Sequence, residues 1–267
     1  MKIPLYIKLL FLLVIAAVIA LVAWSEYQRF LHQPVNLIEE ETIFTIYPGD
    51  NISKVSQRLY DSGLSPVPSV YLDIYARLKG NAQQIKAGEY RVEADATLPA
   101  LLNLFISGKV VQYSITIVEG MTAKQLFEKI QDHPKIKQTL AELNNETVRE
   151  ALSIENELVE GLFLPETYHF PANTSDVQFL RRAYQKLQEQ LDSAWQQMTE
   201  NLPYDSAYEV LIMASIIEKE SAIPEERPEI AGVFVRRLDK GMRLQTDPTV
   251  IYGMGDRYDG NIRKKDL

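Results

Sequence analysis

The chain has 267 residues, with 28 Lys+Arg against 36 Asp+Glu, a formal net charge of −8, three His and no Cys. That length holds one large domain or two modest ones, and 46% hydrophobic with 24% charged residues excludes wholesale disorder. The acidic balance offers no basic stripe for phosphates, so nucleic acid is not an expected partner, and the missing cysteines exclude disulfides, a thiolate nucleophile and a Cys-ligated metal.

Residues 9–24 form an unbroken apolar run closed by Trp24. Alone the run is slightly short of the roughly 20 residues that cross a bilayer core, and residues 3–24 suffice if Lys8 snorkels back to the headgroups. Lys2 and Lys8 precede the run and Glu26 follows it, so residues 1–8 are expected in the cytoplasm and the remainder outside. A cleaved signal peptide, with Val18-Ile19-Ala20 as the small-x-small site, is the competing reading. A buried globular helix would need a polar face that this run lacks. Residues 25–41, polar and acidic with Pro34, read as a linker.

A pattern then recurs: an extended stretch, a turn and an amphipathic helix. Phe44-Thr45-Ile46-Tyr47-Pro48-Gly49 leads to Ile52, Val55 and Leu59, and Tyr90-Arg91-Val92 leads to Leu98, Leu101 and Phe105. Ile115-Thr116-Ile117-Val118-Glu119-Gly120 leads to Ala123, Leu126 and Ile130, and Tyr168-His169-Phe170 leads to Val177, Leu180 and Tyr184. These spacings put one apolar stripe on each helix. Asn51, Thr97, Thr122 and Asp176 stand where an N-cap is wanted. The intervals between the units are irregular, so the expected class is α+β and not a solenoid. Gly49-Asp50-Asn51-Ile52-Ser53-Lys54-Val55 resembles the turn-and-helix signature of a glycan-binding LysM module; a plain capped helix is the other reading of that segment.

Residues 192–200 read as a helix ending in a loop at Asn201-Leu202-Pro203. From Tyr208 to Ile217 the chain is apolar on nearly every side, which predicts a buried helix, and it runs directly into Glu218-Lys219-Glu220-Ser221. A carboxylate there is costly unless paired or protonated. Helical geometry groups Glu218 with the small residues Ala214, Ser215, Ser221 and Ala222, leaving room for a bulky group, and sends Glu220 to nearly the opposite side. The bland alternative is a Glu218 paired with Lys219, Arg227 or Arg237 that merely closes the helix. Met242-Arg243-Leu244-Gln245-Thr246-Asp247-Pro248 alternates as a strand would, with Gln245 and Asp247 on one side. Glu160-Gly161-Leu162-Phe163-Leu164-Pro165-Glu166-Thr167-Tyr168 reads as another strand carrying isolated acids. Amides, carboxylates and aromatic rings together suit a sugar, although each could equally be a buried network residue. His32, His133 and His169 have no metal spacing, and GxSxG, GxGxxG and Walker A are absent, so no metal and no cofactor are expected.

Ala214-Ser215-Ile216-Ile217-Glu218-Lys219-Glu220-Ser221, Glu226-Arg227, the run from Ala231 to Leu238 and the run from Gly241 to Tyr252 resemble the core of the YceG-like endolytic murein transglycosylases, MltG type. The Glu160-to-Tyr168 stretch is similar to that family's upstream motif, and the resemblance covers essentially the whole chain. It implies a single-pass protein of the bacterial inner (plasma) membrane, with residues 42–111 a LysM-like module and residues 112–267 a mixed α/β catalytic domain. It implies that the chain cuts peptidoglycan glycan strands between N-acetylmuramic acid and N-acetylglucosamine. The products are 1,6-anhydro ends, which terminate strand growth. Glu218 would be the acid, protonated near neutral pH in apolar surroundings. Gln245, Asp247, Tyr252, Glu166, Tyr168 and Glu220 are the candidate substrate contacts, and wall-synthesis enzymes are possible partners. Two departures stand out. Arg236 replaces the family's usual Asn before Arg-Leu. The family also continues past the position of Leu267, so the catalytic domain is expected to be incomplete at its C-terminus. A membrane-anchored glycan-binding scaffold and a hydrolase using water are the alternatives.

Overall fold

The computed structural model describes residues 4–37, 39–199 and 202–266. Part of the expected cytoplasmic tail, Ile38 of the expected linker, Glu200 and Asn201 at the expected helix end, and Leu267 lie outside these residues. Contacts divide the chain into two compact units, residues 1–112 and 113–267.

The first unit opens with helix α1 (Leu5–His32), whose stretch from residue 9 onward is long and apolar enough to cross a membrane. The helix does not stop at Trp24. Nothing between Ser25 and Gln33 breaks it, and an Arg29–Glu26 ion pair at 2.9 Å lies on its exposed side. Residues 25–41 therefore are not a simple linker: Phe30 (1% exposed) and Val35 (5%) are part of this unit's core. Strands β1 (Glu41–Ile46) and β2 (Gly88–Glu93) pair antiparallel with Phe44 opposite Tyr90. Between them lie α2 (Ile52–Asp61) and α3 (Val70–Leu78), and α4 (Leu98–Ser107) follows β2. The expected stripes are the ones buried: Ile52, Val55 and Leu59 from α2, and Leu98, Leu101 and Phe105 from α4. Asn51 and Thr97 cap the two helices by accepting from the Lys54 and Ala100 N–H groups.

Strand β3 (Gln112–Thr116) begins at the boundary and lies in the second unit from Tyr113 onward, where it pairs with β5 (Thr167–Pro171). Short strands β4 (Ile136–Lys137) and β6 (Thr174–Ser175) pair in parallel. Helices α5 (Ala123–Gln131), α6 (Asn145–Leu152) and α7 (Asp176–Gln196) close the core, in which Leu126, Ile130, Tyr168, Phe170, Phe179 and Leu180 are buried. Thr122 caps α5 with a reciprocal bond from Gln125. At α7 the cap is Ser175 and not Asp176.

Asp176 has a different job. It is fully buried, and its two carboxylate oxygens accept from the N–H groups of Thr139 (2.8 Å), Leu140 (3.0 Å) and Val177 (2.7 Å) and from the Thr139 hydroxyl. Burial pushes this carboxyl upward, but the hydrogen bonds from Leu140, Thr139 and Val177 outweigh it and hold it below the usual carboxylate range.

Helices α8 (Ala207–Glu220), α9 (Arg227–Asp239) and α10 (Asp247–Met254) form a cluster around Met213, Ile216 and Phe234. The expected all-round burial of α8 is not found. Its neighbours α7, α9 and α10 cover the Met213–Ile216 side, while Ala214 is exposed and Ile212 is 44% exposed.

Candidate active site

Ser206 starts α8 by capping the Glu209 N–H, and the helix carries its apolar residues to Glu218 before ending at Glu220. Ser221 is already extended, so Ser221 and Ala222 leave the helix and do not share the face of Glu218 as expected. The Ser221 hydroxyl donates to Glu226 at 2.6 Å and accepts from the Ile223 N–H at 3.0 Å, which folds the chain back into α9. That turn delivers Arg227 to Glu218.

The Glu218–Arg227 pair, Nη2 to Oε2, measures 2.8 Å, with the Glu218 side chain 25% exposed. Glu218 is therefore held in a partly open ion pair and not in the apolar seclusion its place after Ile217 predicts. Of the three cations that could have met it, Lys219 packs on the turn at Gly120. A Cβ there would lie 3.2 Å from Lys219 Cε and Nζ, and the turn needs φ +73°. Arg237 is spent elsewhere. Its Nη1 points at the carbonyls of Arg243 (3.0 Å) and Leu244 (2.6 Å) and at Gln245 Oε1 (3.2 Å). Arg227 remains, with its own Nε buried and without a hydrogen-bond partner among the described residues. The ion pair occupies one oxygen of Glu218, Oε2, and leaves part of the side chain open to solvent.

The alternating stretch after Gly241 is not a strand. Among the described residues it pairs with no other strand, Gln245 has φ 54°, and α10 begins at Asp247. Gln245 and Asp247 are exposed, but they flank a buried Thr246 and do not alternate along an edge. Thr246 occupies the N-cap position of α10 yet makes no side-chain cap; its hydroxyl donates instead to Glu220 Oε2 at 2.7 Å. Glu220 thus joins α8 to the start of α10. The pairing of Thr246 with the site had one sequence signal, a Thr directly before Asp-Pro, which marks a helix start.

Tyr252 lies on α10, 56% exposed, and its hydroxyl donates to Glu160 Oε2 at 3.2 Å. Desolvation around the phenol, then the Glu160 charge and hydrogen bond, push it up to about 12. The other oxygen of Glu160 accepts from the Ala123 N–H at 2.9 Å, at the start of α5. Residues 160–166 form a turn and irregular chain, not the expected strand; only Thr167 onward joins β5. Glu166 pairs with Lys186 at 2.5 Å in an open groove with Glu119, Pro165, Glu189 and Ser193. Tyr168, expected as a sugar contact, lies in the core. It is fully buried, and its hydroxyl donates to the Leu164 carbonyl at 2.8 Å. Burial, then the Glu166 charge, raise that hydroxyl to about 12 against the opposing Arg182. The structure therefore groups Glu218, Glu220, Gln245 and Asp247 on the three-helix cluster, sets Tyr252 against Glu160, and leaves Glu166 with α7. Among the described residues no group of three or more His, Cys, Asp or Glu is placed to hold a metal ion.

The fold defines a mixed α/β protein with a long apolar N-terminal helix and a three-helix cluster carrying Glu218, Glu220, Gln245 and Asp247. Residues 44–267 match the model of the YceG-like family, and the chain belongs to that family. An endolytic murein transglycosylase of Bacillus subtilis (strain 168) is 29% identical over 260 residues, spanning 90% of this chain and 71% of its own length. One from Streptococcus pneumoniae (serotype 2, strain D39) is 26% identical over 91% of this chain but only 49% of its own length. A solved yceG-like protein from Listeria monocytogenes is 25% identical, covering 85% of this chain and 79% of that one, with a TM-score of 0.43.

Proposed function

We propose that the chain is an endolytic murein transglycosylase that cuts the β-1,4 bond between N-acetylmuramic acid and N-acetylglucosamine inside glycan strands. Support comes from the family membership and the named relatives. The single observation that carries the chemistry is Glu218, presented at the open end of α8 with its side chain partly accessible. In the reaction Glu218 gives its proton to the bridging oxygen as the bond to C1 breaks. The C6 hydroxyl of the muramic acid closes on C1, and its proton returns to the Glu218 carboxylate. One carboxylate then serves as acid and base, no water is consumed, and the proton count closes; ordinary glycosidases need two carboxylates because water takes part. Arg227, 2.8 Å from Glu218 Oε2, holds the carboxyl in place beside the bond to be cut.

Gln245 and Asp247 orient the sugar in this reading, and Tyr252 lines its path. The LysM-like module, residues 42–111, holds glycan, with the Asn51-capped α2 as its signature. Helix α1 is a single-pass anchor in the bacterial plasma membrane, with the N-terminus cytoplasmic and the site outside, where wall-synthesis enzymes are the expected neighbours.

The Glu218–Arg227 pair also suits a second reading, a glycan-binding scaffold in which the pair only closes a helix. Glu218→Gln in the purified chain separates them. Mass spectrometry of digested sacculi should show 1,6-anhydro ends from the native chain and none from the variant. Undiminished ends from the variant would remove Glu218 from the mechanism, and none from either would leave the scaffold.

A further inference from the structure

We infer that Arg237 fixes the side chain of Gln245 so that its amide N–H2 points outward as the hydrogen-bond donor for an acetamido carbonyl of the glycan; this rests on the transglycosylase reading above. The orientation follows from chemistry. A guanidinium can only donate, so the amide atom facing Arg237 Nη1 at 3.2 Å must be the oxygen. The nitrogen, with two hydrogens, is then turned the other way on an exposed residue.

The backbone is held as firmly as the side chain. Arg237 also donates to the carbonyls of Arg243 and Leu244, and Glu220 takes the Thr246 hydroxyl, so residues 243–246 are gripped from α9 and α8 together. Gln245 sits at φ 54°, a left-handed conformation that a non-glycine residue adopts only when its surroundings impose it. Thr246 gives up its capping bond to meet Glu220. Glu220 is two residues from Glu218 on α8, so one rigid helix carries the acid and one of the two grips. Arg237, Glu220 and Thr246 are positioning residues; Gln245 is the group that meets substrate. Both sugars of the strand carry acetamido groups, and an N–H2 donor distinguishes them from free amines, which offer no carbonyl and repel it when protonated.

The experiment compares kcat/KM on N-acetylated strands and on chemically N-deacetylated strands, using the full chain. The native chain should prefer acetylated strands by about tenfold, the worth of one well-placed hydrogen bond. Gln245→Glu, nearly isosteric at an exposed position, replaces the donor with an acceptor; it should collapse the preference through a raised KM on acetylated strands. Arg237→Met should collapse it as well, with Arg237→Lys restoring part of it. A native chain with no preference would overturn the proposal, and so would a Gln245→Glu chain that keeps it. Glu218→Gln, run alongside, isolates the reading beneath: if that variant stays active the mechanism fails, whatever the acetylation ratio does.

Discussion

Replacing Asp176 should destabilise the second unit, and for the isosteric Asn variant the loss should fade in acid. The carboxylate holds three backbone N–H groups and one hydroxyl that connect the start of α7 to the chain after β4. Asp176→Ala leaves all of them without their partner. A buried unsatisfied donor costs about 1–3 kcal/mol, but the Thr139 end is near solvent and water can serve it, so the expected loss is about 3 kcal/mol. Asp176→Asn can still place its oxygen on the Thr139 and Leu140 N–H groups and offer its nitrogen to the Thr139 hydroxyl. Only the Val177 N–H is then stranded, and the loss should be about 1.5 kcal/mol. The folded carboxyl lies below its ordinary value, so its stabilisation is present above about pH 4 and is lost as pH falls through the folded value. The gap between the native chain and Asp176→Asn should therefore be full at pH 7 and should close in strong acid. Trp195 on α7 reports the transition, with Trp24, the other tryptophan, silenced as Phe. Urea midpoints that coincide at pH 7, or a gap unchanged at low pH, would refute the reasoning.

Tyr168→Phe removes one buried hydroxyl that donates to Leu164, so it should cost about 1 kcal/mol in the same urea assay and leave turnover of glycan strands unaltered; reduced turnover would return Tyr168 to the site. Cutting the chain before Ser25 should release it from the membrane fraction with its first unit folded. Cutting it before Gln33 also removes Phe30 from the core and should cost about 3–5 kcal/mol, seen as early melting of the β1–β2 amides in hydrogen exchange.

The strand-turn-helix units were legible because their determinants are local. A cap residue and an apolar stripe at helical spacing fix α2, α4 and α5 without reference to the rest of the chain. The same locality limits the start of α7: Ser and Asp adjacent to one another are both good caps, and only the arrival of residues 139–140 from elsewhere decides that Asp176 is needed for them. Residues 242–248 alternate in polarity, but alternation makes a strand only where a partner supplies hydrogen bonds. Here Arg237 claims the carbonyls instead, and Thr246-Asp247-Pro248 starts a helix. Glu218 could be singled out from its costly place at the end of an apolar run. Its partner could not, because choosing among Lys219, Arg227 and Arg237 depends on the turn at Ser221 and on Gly120, neither of which announces its contacts in sequence. Tyr168 failed in the opposite sense: aromatic residues suit sugars and cores alike, and only burial tells them apart.

The most direct test runs the reaction of the purified chain on glycan strands in heavy-oxygen water and weighs the new ends. Intramolecular closure through the Glu218 proton predicts ends one water lighter than hydrolysis products, free of label, and absent with Glu218→Gln. Labelled reducing ends, or unlabelled anhydro ends formed just as fast by the variant, would contradict it.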